Sequence, residues 1–153
     1  NNVNQVFLEL LPYQVMDAYL NVPYVNRSLQ QLPGFRKDMK KQLAEIKAWE
    51  ERTNTTKPIL AYEDYTGEYE NELYGNLTIT QTAGKLKLKF HSHDNLTATM
   101  EYMDKDEWLL KFDNIEYGIF ATKFRIEKDE VVSVEIKVNG FVEYDPYTFT
   151  KKD

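Results

Sequence analysis

Lys85-Leu86-Lys87-Leu88-Lys89-Phe90 alternates without a fault. Successive side chains on a strand point to opposite faces, so Leu86, Leu88 and Phe90 share one face and three lysines share the other. The stretch therefore reads as a strand with one face in a core and one in water. The period of two continues on both sides of it. Upstream lie Thr66-Gly67-Glu68-Tyr69-Glu70 and Asn76-Leu77-Thr78-Ile79-Thr80, joined around Leu73-Tyr74-Gly75, with Ala83-Gly84 as the next turn. Downstream, Asp94-Asn95 turns into Leu96–Tyr102, Asp104-Lys105-Asp106 turns into Trp108–Phe112, and Phe120–Ile126 follows Asn114. Glu127-Lys128-Asp129-Glu130 is a charged turn, Val132–Val138 alternates again, and Asn139-Gly140 is a hairpin signal. A last strand runs from Phe141 towards Phe149, restricted by Pro146 to an edge or a bulge.

Eight short strands at about 11 residues per strand and turn predict an antiparallel meander that curls shut. Eight strands leave an interior just wide enough for side chains or for one small ligand, as in lipocalins. The inward set is bulky: Leu77, Ile79, Leu86, Leu88, Phe90, Met100, Trp108, Leu110, Phe112, Phe120, Phe124, Ile126, Val134 and Ile136. Strands this short make a shallow cup, so the core is expected to be mostly filled. If the cup holds a ligand, Tyr69, Leu88, Phe90, Met100, Trp108, Phe112 and Phe124 are the candidate ligand-binding residues.

The period changes before residue 58. Val3, Val6, Phe7, Leu10 and Leu11 recur at helical spacing, and Val15, Met16, Tyr19 and Leu20 repeat it after Pro12, which should kink the segment or begin a new helix. A second helix is read from about Pro33-Gly34 to Arg52, with Phe35, Met39, Leu43, Ile46 and Trp49 in one stripe. Its charges run basic first (Arg36, Lys37, Lys40, Lys41) and acidic last (Glu50, Glu51), against the helix dipole. The stripe is therefore expected to dock on the barrel. Residues 1–57 carry a net +2 and residues 58–153 a net −8. The sequence thus divides into a helical segment, 1–57, and a β-barrel domain, 58–153: mainly β with N-terminal helices, an α+β chain.

Composition removes several functions. There is no cysteine among the 153 residues, hence no disulfide, thiolate zinc site or thiol nucleophile. The net charge of −6 argues against nucleic acid as a partner, because phosphate neutralisation needs a surplus of Lys and Arg. No apolar run approaches the roughly 20 residues of a membrane-spanning helix, so no transmembrane segment is expected. The chain opens Asn1-Asn2 without a Met and reads as an excised or processed piece.

Three sites carry a more specific resemblance. Tyr65-Thr66-Gly67-Glu68-Tyr69, Tyr74-Gly75 before a strand, and the Gly84-Lys85-Leu86 hairpin resemble the opening of the uncharacterised C-terminal domain found behind serine β-lactamase-like, penicillin-binding-protein-like hydrolase domains in bacteria. Phe149 before Lys151 fits as well, and the resemblance covers about residues 57–152. It implies that residues 1–22 are the terminal helix of an upstream catalytic domain in the same polypeptide, and that residues 33–52 connect it to the barrel. It also implies a periplasmic or extracytoplasmic location. Cut from that domain, the face of Val3, Phe7, Leu10 and Leu11 is expected to fold back or to pair with a second copy as a homodimer.

Acyl-enzyme chemistry of that class needs Ser-x-x-Lys, where lysine activates the nucleophile. Ser28, Ser92 and Ser133 are followed by Leu-Gln-Gln, His-Asp-Asn and Val-Glu-Ile, and Lys-Thr-Gly does not occur. Tyr24-Val25-Asn26 and Tyr69-Glu70-Asn71 match the class's Tyr-x-Asn by letter alone. His91-x-His93-Asp94 could hold a metal, but Phe90 points inward, so both imidazoles point to water. Glu63, Asp64, Glu68, Glu70 and Glu72 lack the spacing of a calcium loop and read as a solvated edge. Asn26, Asn54, Asn76 and Asn95 each open a glycosylation sequon, which Thr- and Asn-rich turns also produce. No cofactor, no metal and no catalytic residue is expected in this chain. Two functions stand: a non-catalytic accessory domain of a serine hydrolase, serving docking, gating or envelope interaction, or a lipocalin-like module holding a small apolar or peptide ligand.

Overall fold

The computed structural model describes residues 2–138 and 145–152, with side chains from Leu8 onward. Two helices, α1 (Asn2–Tyr19) and α2 (Arg27–Arg52), precede eight strands. These are β1 (Gly67–Asn71), β2 (Gly75–Thr82), β3 (Lys85–Phe90), β4 (Thr97–Tyr102), β5 (Glu107–Phe112), β6 (Ile119–Glu127), β7 (Glu130–Ile136) and β8 (Tyr147–Lys151). Each strand pairs antiparallel with the next, and β8 returns to β1 through Tyr69↔Lys151 and Glu70↔Thr150, closing the barrel. Closure leaves no edge for a further strand to pair with. No helix among the described residues is long and apolar enough to cross a membrane.

The registers explain the core. Leu77↔Phe90, Ile79↔Leu88, Leu86↔Met100 and Leu110↔Phe120 set inward side chains beside each other on neighbouring strands. Twelve of the fourteen predicted inward residues are buried; Phe120 and Ile126, towards the ends of β6, are half-buried. Ala83-Gly84, between Thr82 and Lys85, and Lys128-Asp129, between Glu127 and Glu130, take positive φ at both positions. That is the hairpin geometry matching right-handed strand twist.

The opening motif has a structural reason. Tyr65 closes a 3-10 turn (Tyr62–Tyr65), and Tyr69 donates its hydroxyl to the Tyr65 carbonyl at 2.8 Å with both rings buried. Gly67 between them has φ +138°, and a Cβ there would stand 3.1 Å from Cε of Lys151.

Four expectations need correction. Pro12 does not divide the first helix but lies inside α1, despite the hydrogen bond it removes. The second helix begins at Arg27 and takes in Pro33; Asn26 caps it, its Oδ1 accepting from Leu29 N at 2.9 Å. In β7 the alternation slips between Arg125↔Ser133 and Ile126↔Val131, a bulge that buries Val131 and leaves Val132 half-exposed. The stripe of α2 is not a buried seam: none of its residues is buried and Leu43 is 60% exposed. The expected Asn139-Gly140 hairpin and the start of the last strand at Phe141 lie outside the described residues.

The chain separates into two compact units, Asn1–Glu45 and Ile46–Asp153. The first holds an ion pair between Arg27 and Asp17 at 2.6 Å. In the second, the last turns of α2 belong with the barrel. Lys111 reaches Glu50 at 2.8 Å, and Arg52 donates to Asp104 and, at 2.6 Å, to Glu107. Glu107 and Lys111 flank Leu109 on the outward face of β5, so the helix end lies over Leu109, which is 0% exposed though outside the barrel core.

Candidate functional site

The seven interior candidates come from five strands: Tyr69 from β1, Leu88 and Phe90 from β3, Met100 from β4, Trp108 and Phe112 from β5, and Phe124 from β6. All are buried and belong to the one hydrophobic core of the barrel, within which their rings meet in smaller groups. Trp108 is the centre of one aromatic group, with ring centroids 5.6 Å from Tyr62, 5.0 Å from Tyr65, 5.2 Å from Tyr102 and 5.6 Å from Phe124. Tyr69 joins it through Phe124 at 6.3 Å. Phe90 belongs to a second group with Phe149 and Tyr74, at 5.7 and 6.3 Å. Phe112 sits in a third, 5.8 Å from Tyr117 and 6.5 Å from Phe120. Leu88 and Met100 are fully buried beside Ala98 and Leu110.

The sequence did not single out Tyr65, Tyr62 and Tyr102, which complete the Trp108 group. The signal for Tyr65 was the Tyr-x-Gly-x-Tyr motif itself; Tyr62 precedes the strands, where the period of two says nothing. Chemically the interior offers edge-to-face rings and tyrosine hydroxyls already committed to the backbone, Tyr69 donating to the Tyr65 carbonyl and Tyr102 accepting from Asp106 N. Burial, then the nearby Tyr65, push the Tyr69 hydroxyl well above its ordinary range, so it stays a neutral donor.

Charge is concentrated on the outer wall. Arg52 bonds hold the carboxyls of Asp104 and Glu107 below their ordinary range, with Lys123 adding to the effect on Glu107. At Glu101 burial pushes upward, but bonds from Lys85 and Asn54 with the charges of Lys85 and Lys111 outweigh it, and the carboxyl titrates low. The same two acids raise the Arg52 guanidinium further. Asn54 ties the linker to the barrel, its N–H donating to the Tyr102 carbonyl at 2.8 Å and its side chain to Glu101 at 3.1 Å.

Two shallow depressions of about 630 and 620 Å³ open on the wall. One is lined by Thr78, Thr80, Lys87, Lys89, His91, Asp94 and Thr97, the other by residues including Glu70, Glu72, Asn76 and Tyr147. His91 and His93 are both exposed, and His91 Nε2 lies 2.6 Å from Thr78 Oγ1. No cluster of three metal-ligating side chains occurs among the described residues. In the acidic stretch, Asp64 accepts from Ala61 N at 3.0 Å and Glu70 pairs with Lys152 at 3.3 Å.

Residues 51–151 match the family described as a domain of unknown function, DUF3471. The chain belongs to that family. The DUF3471 match opens at Glu51, beside the Arg52 clamp, and so takes in the clamp as well as every strand. No match was found among curated proteins or among solved structures.

Proposed function

We propose that this barrel is a non-catalytic accessory domain of a β-lactamase-like, penicillin-binding-protein-like serine hydrolase, carried behind the catalytic domain on one polypeptide outside the cytoplasm. The observation that supports this most is the unmet apolar surface of α1. In α1 Leu8 is 60% exposed, Met16 58% and Tyr19 85%, with Leu20 just after it 69% exposed; of the expected face, Leu10 is half-buried, Leu11 is 39% exposed, and the side chains of Val3 and Phe7 lie outside the described residues. Leaving a Leu or Met side chain in water forgoes roughly 1.5–3 kcal/mol, so such a helix asks for a surface to lie on. The terminal helix of a catalytic domain would have one, and a second copy takes that place only when the domain is missing. The barrel interior supports the same reading, because its largest side chains are spent on one another in three ring groups.

The chain by itself should turn over neither a chromogenic β-lactam nor an ester above the buffer rate, since no serine in it has lysine at the spacing that activates it. A burst of acylation by a labelled penicillin would overturn the reading. Saturable uptake of an apolar dye that quenches Trp108 would replace it with the lipocalin-like alternative.

A further inference from the structure

The outer wall carries opposite charges on strands two apart, in matching rows. The registers set Glu68, Thr78 and Lys89 side by side across β1, β2 and β3. The next row is Glu70, Asn76 and His91, where His91 N donates to the Asn76 carbonyl at 2.9 Å. These side chains alternate with the buried Tyr69, Leu77 and Phe90, so all of them face outward. Glu68, Lys87 and Lys89 are exposed, and among the described residues none of the three is in an ion pair. In a domain segment of net charge −8, two unpaired lysines on one strand and an unpaired glutamate on the next but one are a marked separation of charge.

The geometry points to a second copy of this chain as the occupant of that face, related by a two-fold axis running along β2. Such an axis exchanges the β1 and β3 sides and leaves the position along the strand unchanged. It therefore brings Glu68 opposite the partner's Lys89, and Lys89 opposite the partner's Glu68. Lys87 lies one row further along the same face. The patch is complementary to itself, as an isologous contact must be. Side-chain lengths suit the contact: the short Thr78 and Thr80 lie in the floor of the shallow depression on this wall, and the longer Glu68, Lys87 and Lys89 beside them reach out towards their counterparts. An acidic peptide or other polyanion would use the lysines and leave Glu68 idle; the second copy uses both signs. With few charges and little apolar area the association is weak and salt-sensitive. It stands apart from the hydrolase reading and does not involve α1.

The test mixes the full chain in two nitrogen-isotope forms at low salt and couples carboxylates to amines with a zero-length carbodiimide. A mixed-isotope Glu68–Lys89 link is expected. Its yield should fall on the order of tenfold near 1 M salt, where screening acts within about 3 Å. Glu68→Lys and Lys89→Glu should each lose intermolecular coupling between these positions, and the double variant, which exchanges the two signs, should regain it. Absence of the mixed link, a yield indifferent to salt, or a double variant as silent as the singles overturns the proposal. So does a Glu68→Lys chain that gains affinity for poly-glutamate while the unaltered chain binds poly-glutamate and shows no mixed link; the face would then be a polyanion site.

Discussion

Trp108 touches four rings, and its indole is the largest side chain wholly inside the barrel. Trp108→Ala should cost about 3–5 kcal/mol, the usual range for removing a buried aromatic, read as a lower denaturation midpoint with an unchanged denaturant slope. Tyr69→Phe keeps the ring but leaves the buried Tyr65 carbonyl without its donor, at a cost of about 1–3 kcal/mol by the same measurement. The carboxyls of Asp104, Glu107 and Glu101 give the protein an acid-sensitive wall. All three titrate lower in the fold than their ordinary values of about 3.9 for Asp and 4.3 for Glu. As pH falls, the unfolded chain takes up protons first, so their contribution is complete above about pH 4.3 and is lost as pH falls through the folded values. Arg52→Ala removes the partner of two of them. It should lower the thermal midpoint at pH 7, and the gap to the unaltered protein should narrow as pH falls through the folded values of Asp104 and Glu107; a gap that stays the same as the pH is lowered would contradict the clamp.

At the scale of elements, strands were readable because one face is wet and one is dry. Leu86, Leu88 and Phe90 against Lys85, Lys87 and Lys89 fix which face turns inward, because a one-residue slip would put the lysines in the core. What the alternation hides is a slip within a strand: nothing in Val131-Val132-Ser133-Val134 says which valine yields, and the bulge is set by pairing with β6. The start of α2 is concealed for a similar reason. Pro33 looks like a boundary, while the working cap, Asn26, is a single polar residue whose role depends on one bond to Leu29 N. The last turns of α2 were the other concealed element. Ile46 and Trp49 continue a helical stripe, yet their place with the barrel follows from Glu50–Lys111, Arg52–Glu107 and the burial of outward-facing Leu109. A chain beginning at Pro58 should therefore be less stable than one beginning at Ile46 by at least the roughly 1.5–3 kcal/mol of uncovering a Leu. Equal denaturation midpoints would show that the helix end covers nothing.

Over the whole molecule, fold and function were readable to different depths. Closure of eight strands followed from counting alternating segments, whereas the ring contacts that group Trp108 with Phe124, Phe90 with Phe149 and Phe112 with Tyr117 are ones that spacing along a strand cannot reveal. The α1 surface makes its own prediction at this scale. In about 1 M salt, where charged contacts are screened, the full chain should sediment heavier than a version beginning at Leu29, because apolar association through Leu8, Met16 and Leu20 persists there. Two equally monomeric and equally stable chains would remove α1 from the account of partners. The relation of barrel to hydrolase is tested most directly by sequencing the reading frame upstream of Asn1. A domain with Ser-x-x-Lys and Lys-Thr-Gly, ending in a strand that runs into Asn2–Tyr19, is the predicted result; a frame that opens near Asn1, or that encodes another class of domain there, would contradict it.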